Sequence, residues 1–224
     1  MAFKHGTPNS IVTDGLIFCM DPANISSYPR TGATVTDIIG DTTGTLTGAN
    51  GDNNTPQWES TNSGIFDFDG TDDHITISGL NDITVNTVSM WIKASFVTNK
   101  IVMEKGTNAK MMFQPNTAQG IWYANAKFYN PGGGYASSVM DGTWKNWVQI
   151  EDTDFSYFYI NGVLQNSQAN TSNSTNSNPI VLMARSGGSF AQLGNIGPVQ
   201  IYNRALSASE IMKNYNALKN RFGL

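Results

Sequence analysis

The stretch from Gly194 to Phe222 constrains the fold of this chain more than any other. Val199 and Ile201 alternate with Gln200 and Tyr202, the period-2 pattern of a strand with one buried face. Asn203-Arg204-Ala205-Leu206 then turns the chain. Ser207, with Glu210 three residues on, makes a capping box, in which each residue's side chain satisfies the other's backbone N–H. Ile211, Tyr215, Leu218 and Phe222 follow at spacings of four, three and four, one apolar stripe on a helix over about 207–221. A last strand thus leads into one amphipathic helix, which needs a surface to lie on.

The rest of the chain supplies short strands for that purpose. Gly15–Met20 is a continuous apolar run ended by Asp21-Pro22, a buried first strand. Residues 30–59 are turn-rich, with short strand candidates at Val35–Ile39 and Thr45–Thr47. Gly64–Ile77 reads as a hairpin, with Phe66 and Phe68 on one face, Ile75 and Ile77 on one face, and Gly70-Thr71-Asp72-Asp73 as its turn. Val88, Met90 and Ile92 share one face of a strand, with Ser89, Trp91 and Lys93 on the other. Further hairpins are expected around Gly106, between residues 119–124 and 126–129, and across Asn161-Gly162, where both turn residues accept positive φ. Residues 165–178, nearly all Asn, Ser, Thr, Gln and Ala, read as a surface loop. About 11 to 13 strands and one helix argue for an all-β fold, a two-sheet antiparallel jelly-roll sandwich with one C-terminal amphipathic helix. Residues 1–13 read as an extended N-terminal arm and 14–224 as a single domain.

Composition excludes several functions. Charged residues make up only 13%, the net charge is −4, and the basic residues are scattered singly, so a nucleic-acid interface has no electrostatic footprint. No run approaches the about 18 apolar residues of a membrane helix, and the first residues lack the apolar core of a secretory signal. The lone Cys19 sits in an apolar run and reads as a small buried hydrophobe.

Five motifs, in order over residues 15–211, carry a family likeness. They are Gly15–Asn24, Phe66-Asp-Phe-Asp-Gly-Thr-Asp-Asp73, Val88-Ser-Met-Trp-Ile-Lys93, Gly142-Thr-Trp144 with Tyr159-Ile-Asn-Gly-Val-Leu164, and Ile201-Tyr-Asn-Arg-Ala-Leu-Ser-Ala-Ser-Glu-Ile211. In them the chain resembles the concanavalin A-like jelly rolls of the laminin-G-like type. That family often has an Asp just before the last strand; here Gly197-Pro198 stands there, and no role is carried over to that loop. Ser27-Tyr28-Pro29 and the ending Asn214-Tyr-Asn-Ala-Leu-Lys-Asn-Arg-Phe-Gly223 are similar to domains in virion proteins of tailed bacteriophages. This likeness implies a virion location after synthesis in the host cytoplasm. It also implies a capsid decoration or tail-associated role, other virion proteins as partners, and possible self-association.

Chemistry is sparse. Glucanases of the fold need paired carboxylates in an E-x-D-x-x-E strand, as acid and nucleophile. Only Glu59, Glu104, Glu151 and Glu210 are present; the nearest match, Glu151-Asp152-Thr153-Asp154, lacks the second Glu. His5 and His74 have no zinc-ligand spacing, and neither a nucleophile elbow nor a phosphate loop occurs, so no enzyme is expected. A structural calcium ion is one expectation, with Asp21, Asp41, Asp67, Asp69 and Asp72 supplying the hard oxygen ligands; the alternative is that Asp72 and Asp73 only cap their turn. For glycans, Trp91, Trp122, Tyr123, Tyr129 and Tyr135 offer faces for stacking, with Asn130 to bond hydroxyls; the alternative is that these aromatics pack within or between subunits. Two functions follow: a structural virion protein displaying the jelly roll, or a lectin-like adhesion module that binds bacterial surface polysaccharide.

Overall fold

A computed structural model of the protein describes residues 10–48, 55–80, 86–105, 111–116, 120–124, 127–128, 139–169 and 178–224. In chain order these form β1 Leu16–Met20, β2 Thr34–Thr36, β3 Thr43–Thr47, β4 Gln57–Glu59, β5 Ile65–Asp69, β6 His74–Ile77, β7 Thr87–Ser95 and β8 Met103–Lys105. There follow β9 Met111–Asn116, β10 Gly120–Ala124, β11 Lys127–Phe128, β12 Asp141–Glu151, β13 Phe155–Ile160, β14 Val163–Ala169, β15 Ile180–Leu182 and β16 Leu193–Tyr202. Helix α1, Ala208–Leu218, runs into a 3-10 turn at Lys219–Phe222.

The strands form two eight-stranded sheets. The first has the order β14-β13-β12-β7-β16-β5-β4, with β1 also on β16; the second is β11-β10-β9-β8-β15-β6-β3-β2. All these strand pairs are antiparallel. β16 pairs with β5 through Leu193–Ile196 and with β1 through Val199–Tyr202. Its register against β7 shifts between Ile196 and Val199, across Gly197-Pro198. The expected two-sheet sandwich with one C-terminal helix is the observed fold. The strand count exceeds expectation, and β4, with three residues, is too short to display a period.

Alternation along each strand builds the core. Phe66 and Phe68 from β5, Val88, Met90 and Ile92 from β7, Trp147 from β12 and Phe158 from β13 meet Ile75 and Ile77 from β6 and Leu182 from β15, all buried. Each such side chain contributes about 1.5–3 kcal/mol on leaving water. The stretch read as a 64–77 hairpin is not one. β5 pairs with β4 and β16, whereas β6 pairs with β3 and β15, so Gly70–Asp73 is a corner between sheets. The pairs Phe66/Phe68 and Ile75/Ile77 therefore face one core from opposite sides. The hairpins β8–β9, β10–β11 and β13–β14 form as the sequence predicts. Residues 165–169, read as loop, belong to β14.

Helix α1 lies on the outer face of the first sheet rather than at the sandwich edge. Ile211 packs with Val148, Ile150, Tyr159 and Tyr202. Phe222, Tyr215 and Leu218 pack with Trp91, Ile65 and Trp144. The Phe222 ring stacks on Trp91 at 4.3 Å between centroids. Gly197 makes room for this: a Cβ there would meet the Phe222 ring at 2.8 Å. The capping box forms, with Ser207 N donating to Glu210 Oε2 at 2.8 Å. Buried Asn214 pins the helix, donating to Tyr202 Oη at 2.9 Å and accepting from Val12 N at 2.7 Å. Residues 10–13 of the expected arm are thus part of the fold at Val12; residues 1–9 lie outside the described residues. Cys19 is buried as expected, and burial pushes its thiol up to about 12.

Candidate functional site

The described surface has a cavity of about 450 Å3 at the rim of the sandwich, where the β1–β2 connection meets the edge strand β4. This falls in the range of ligand pockets, about 300–1,000 Å3. Its walls include Tyr28, Arg30, Thr31, Thr55, Gln57 and Trp58. Local hydrogen bonds set Tyr28, Gln57 and Trp58. The Asn24 carbonyl accepts from Ser27 N and Tyr28 N at 2.9 Å, closing a turn. Buried Ser27 donates its hydroxyl to Thr36 O at 2.8 Å and accepts from Asp21 N at 3.1 Å. Tyr28 packs edge-on against Phe66 at 4.8 Å, and its hydroxyl donates to Gly32 O at 2.9 Å. The tyrosine thereby anchors both ends of the 28–32 loop.

Arg30 sits at the tip of that loop with φ 68°, a left-handed conformation uncommon outside glycine. Its guanidinium carbon lies 4.7 Å from the centroid of the Trp58 ring. Trp58 is half-buried against the core, and its indole N–H donates to Pro22 O at 2.8 Å. Gln57 Nε2 donates to Thr55 O at 2.6 Å. Arg185, Arg204 and Arg221 all sit in ion pairs, with Glu104, with Asp14 and Glu210, and with Asp21. Arg30 has no acidic partner among the described residues, and its side chain is exposed. The cavity therefore combines an aromatic wall, hydroxyl and amide groups, and an arginine with no acidic partner among the described residues.

The glycan candidates read from sequence fall elsewhere. Trp91 is not a sugar platform: it is fully buried, stacked between Phe222 at 4.3 Å and Tyr215 at 5.8 Å. It does face away from Met90, as the alternation requires, but α1 covers that face. Trp122 and Tyr123 lie on β10, their side chains outside what is described; Tyr129, Asn130 and Tyr135 lie outside the described residues. Arg30 and Trp58 are not among the site residues read from the sequence, and Tyr28 enters there only within the Ser27-Tyr28-Pro29 motif. The available signal was a Trp and an Arg set alone in an otherwise polar, turn-rich stretch.

The acidic candidates also regroup. Asp69, Asp72 and Asp73 bring carboxylate oxygens within 4.8 Å of one another at the β5–β6 corner. Asp73, omitted from the expected ligand set, is buried, and that burial, aided by repulsion from Asp69, Asp72 and Asp67, raises its carboxyl to about 6. The same groups cap the corner: Asp69 accepts from Thr71 N at 2.7 Å, and Asp73 from Asp69 N at 3.2 Å. Asp21 is not in this group; it holds Arg221 through both oxygens, at 2.8 and 2.9 Å. Asp67 accepts from Asn195 Nδ2 at 2.6 Å, and Asp41 is exposed in the β2–β3 turn. The four glutamates stand on β4, β8, β12 and α1. Asp152, beside Glu151, caps the β12–β13 turn by accepting from Asp154 N and Phe155 N.

Two packed antiparallel sheets, one carrying a terminal helix on its outer face, define a lectin-like jelly roll. The chain belongs to the concanavalin A-like lectin/glucanases superfamily, whose Laminin_G_3 family profile matches residues 69–212. Among curated proteins none matches the chain. Among solved structures, domain 4 of AbnA, a GH43 extracellular arabinanase from Geobacillus stearothermophilus in complex with arabinotriose, is 17% identical with a TM-score of 0.65. That match covers 89% of this chain and 98% of that one. The receptor binding domain of botulinum neurotoxin C/D mosaic serotype is 16% identical, with a TM-score of 0.64 and coverage of 90% and 51%. Trypanosoma rangeli sialidase in complex with sialic acid is 13% identical, with a TM-score of 0.66 and coverage of 95% and 34%. At such identities the likeness shows the fold alone. The chain spans about half of the toxin domain and a third of the sialidase.

Proposed function

We propose that the protein is a non-catalytic saccharide-binding jelly roll, and that the rim cavity bounded by Trp58 and Arg30 is its binding site. The observation that carries this reading is the cavity itself: it has a ligand's volume and pairs an aromatic wall with hydroxyl, amide and guanidinium groups. Support comes from the arabinanase domain, solved with arabinotriose, and the sialidase, solved with sialic acid. Arrangements of the four glutamates as caps, ion-pair partners and strand residues support the absence of catalysis.

The setting we propose is a phage particle, with the domain displayed on a capsid or tail toward bacterial surface polysaccharide. The likeness of Ser27-Tyr28-Pro29 and of the Asn214–Gly223 ending to domains in virion proteins of tailed bacteriophages supports it. We further propose that calcium, if bound, is held by Asp69, Asp72 and Asp73. A glycan array of bacterial surface saccharides, probed with the folded protein in calcium and again in chelator, tests the reading. Binding to at least one saccharide class, lost in Trp58→Ala, is expected; no binding in either buffer contradicts it. Equal binding in both buffers would make saccharide binding independent of calcium; the ion at the β5–β6 corner is tested by the melting temperature with calcium and with chelator, and no difference would contradict it.

A further inference from the structure

We infer that the rim cavity selects saccharides bearing a carboxylate, with Arg30 as the group that reads the charge. The inference rests on the saccharide reading above and specifies its ligand class. Arginine presents five N–H donors in a planar fork that matches a carboxylate with two parallel hydrogen bonds. In this fold the other described arginines spend that capacity internally. Arg221 holds Asp21 and donates to Asn62 O and Gly64 O, Arg204 holds Glu210 and Asp14, and Arg185 holds Glu104. Arg30 is different: its one described partner is the Trp58 ring, a contact that positions a cation without neutralising it.

The loop holds this cation in place at a conformational cost. A non-glycine residue at φ 68° persists only where its surroundings enforce it, and such residues concentrate at ligand clamps. The enforcing contacts are on either side. The Tyr28 hydroxyl donates to Gly32 O across the loop, and Trp58 is fixed by its bond to Pro22 O. A sugar seated in the cavity would set its hydroxyls toward Thr31, Thr55 and Gln57 and an acidic substituent toward Arg30. The molecule's overall field does not favour anions, because the net charge is −4. Selection therefore has to come from Arg30 itself, at short range.

The test compares matched pairs that differ only in the acid: 3′-sialyllactose against its sialic acid methyl ester, and trigalacturonate against its methyl ester. A sulfated lactose serves as a third anion, to separate carboxylate from sulfate. Calorimetric titration of the wild-type protein is expected to show at least one acid member binding about tenfold or more tightly than its neutral partner. Arg30→Gln is expected to weaken the neutral partner somewhat and the acid member much more, so that the preference disappears, while Arg30→Lys retains part of it. Arg30→Gly, which relieves the positive φ, controls for backbone effects and should behave as Arg30→Gln does. Acid and neutral members binding alike, a preference surviving in Arg30→Gln, or sulfated lactose preferred over both acids would overturn the inference while leaving saccharide binding in place. If no member of any pair binds the wild-type protein and the array is also blank, the saccharide reading fails and takes this one with it.

Discussion

Glu210 shows how one carboxylate is shared within this fold. Its oxygens accept from Arg204 Nη2 at 2.6 Å and Nη1 at 3.0 Å, and from Ser207 N at 2.8 Å. The Arg204 hydrogen bond is the largest cause that lowers its carboxyl from 4.5 to about 2. Folded protein therefore holds fewer protons than unfolded chain between those values. The resulting stability is fully present above about pH 4.5 and is lost as pH falls toward 2. Glu210→Gln should cost about 1–2 kcal/mol at pH 7, allowing for partial exposure, and the gap from wild type should close in acid. Urea denaturation at pH 7 and at pH 3 measures both; a gap independent of pH would contradict the assignment. The Ser207/Glu210 box was legible because capping is local, a matter of residues three apart. Asn214 was not: nothing in its neighbours signals that it binds Val12, whose N–H lies 202 positions away in the chain.

At the scale of elements, period-2 patterning shows which residues share a face but not which strand lies alongside. β5 and β6 were legible as strands and their inward residues were right, yet their pairing was not. A four-residue connection with Gly70 suits a tight hairpin and a sheet-to-sheet corner equally well; long-range burial of Phe66, Phe68, Ile75 and Ile77 decides between them. Trp91 failed for a related reason. Its outward direction was correct, but only the docking of α1 makes the outward face interior, which is why β7 is buried on both sides through its first six residues. Phe222 is the keystone of that docking, stacked on Trp91 and 4.6 Å from Trp144. Phe222→Ala should cost about 3 kcal/mol, read as a lower urea midpoint with an unchanged slope. A loss below about 1 kcal/mol would mean that α1 is not held on the sheet through this ring.

For the molecule as a whole, the cavity proposed as the binding site lies at a rim of the sandwich rather than on a sheet face. The outer face of the first sheet is occupied by α1, and the space between the sheets is filled by Phe, Ile, Val and Met side chains. At that cavity Tyr28, Arg30 and Trp58 converge across some thirty residues of chain. The sequence made the sheets readable because strands announce themselves by alternation. The cavity has no such signature, since its parts come from a loop tip and a three-residue edge strand joined only in three dimensions. Ser27-Tyr28-Pro29 was visible as a motif, but its effect, an arginine held over a tryptophan, was not.

The most direct measurement of the central claim is a crystal structure of the protein soaked with the tightest-binding saccharide from the array. The account predicts sugar density in the rim cavity, against Trp58 and within hydrogen-bonding distance of Arg30. Density seated elsewhere, with that cavity holding only water, would contradict it.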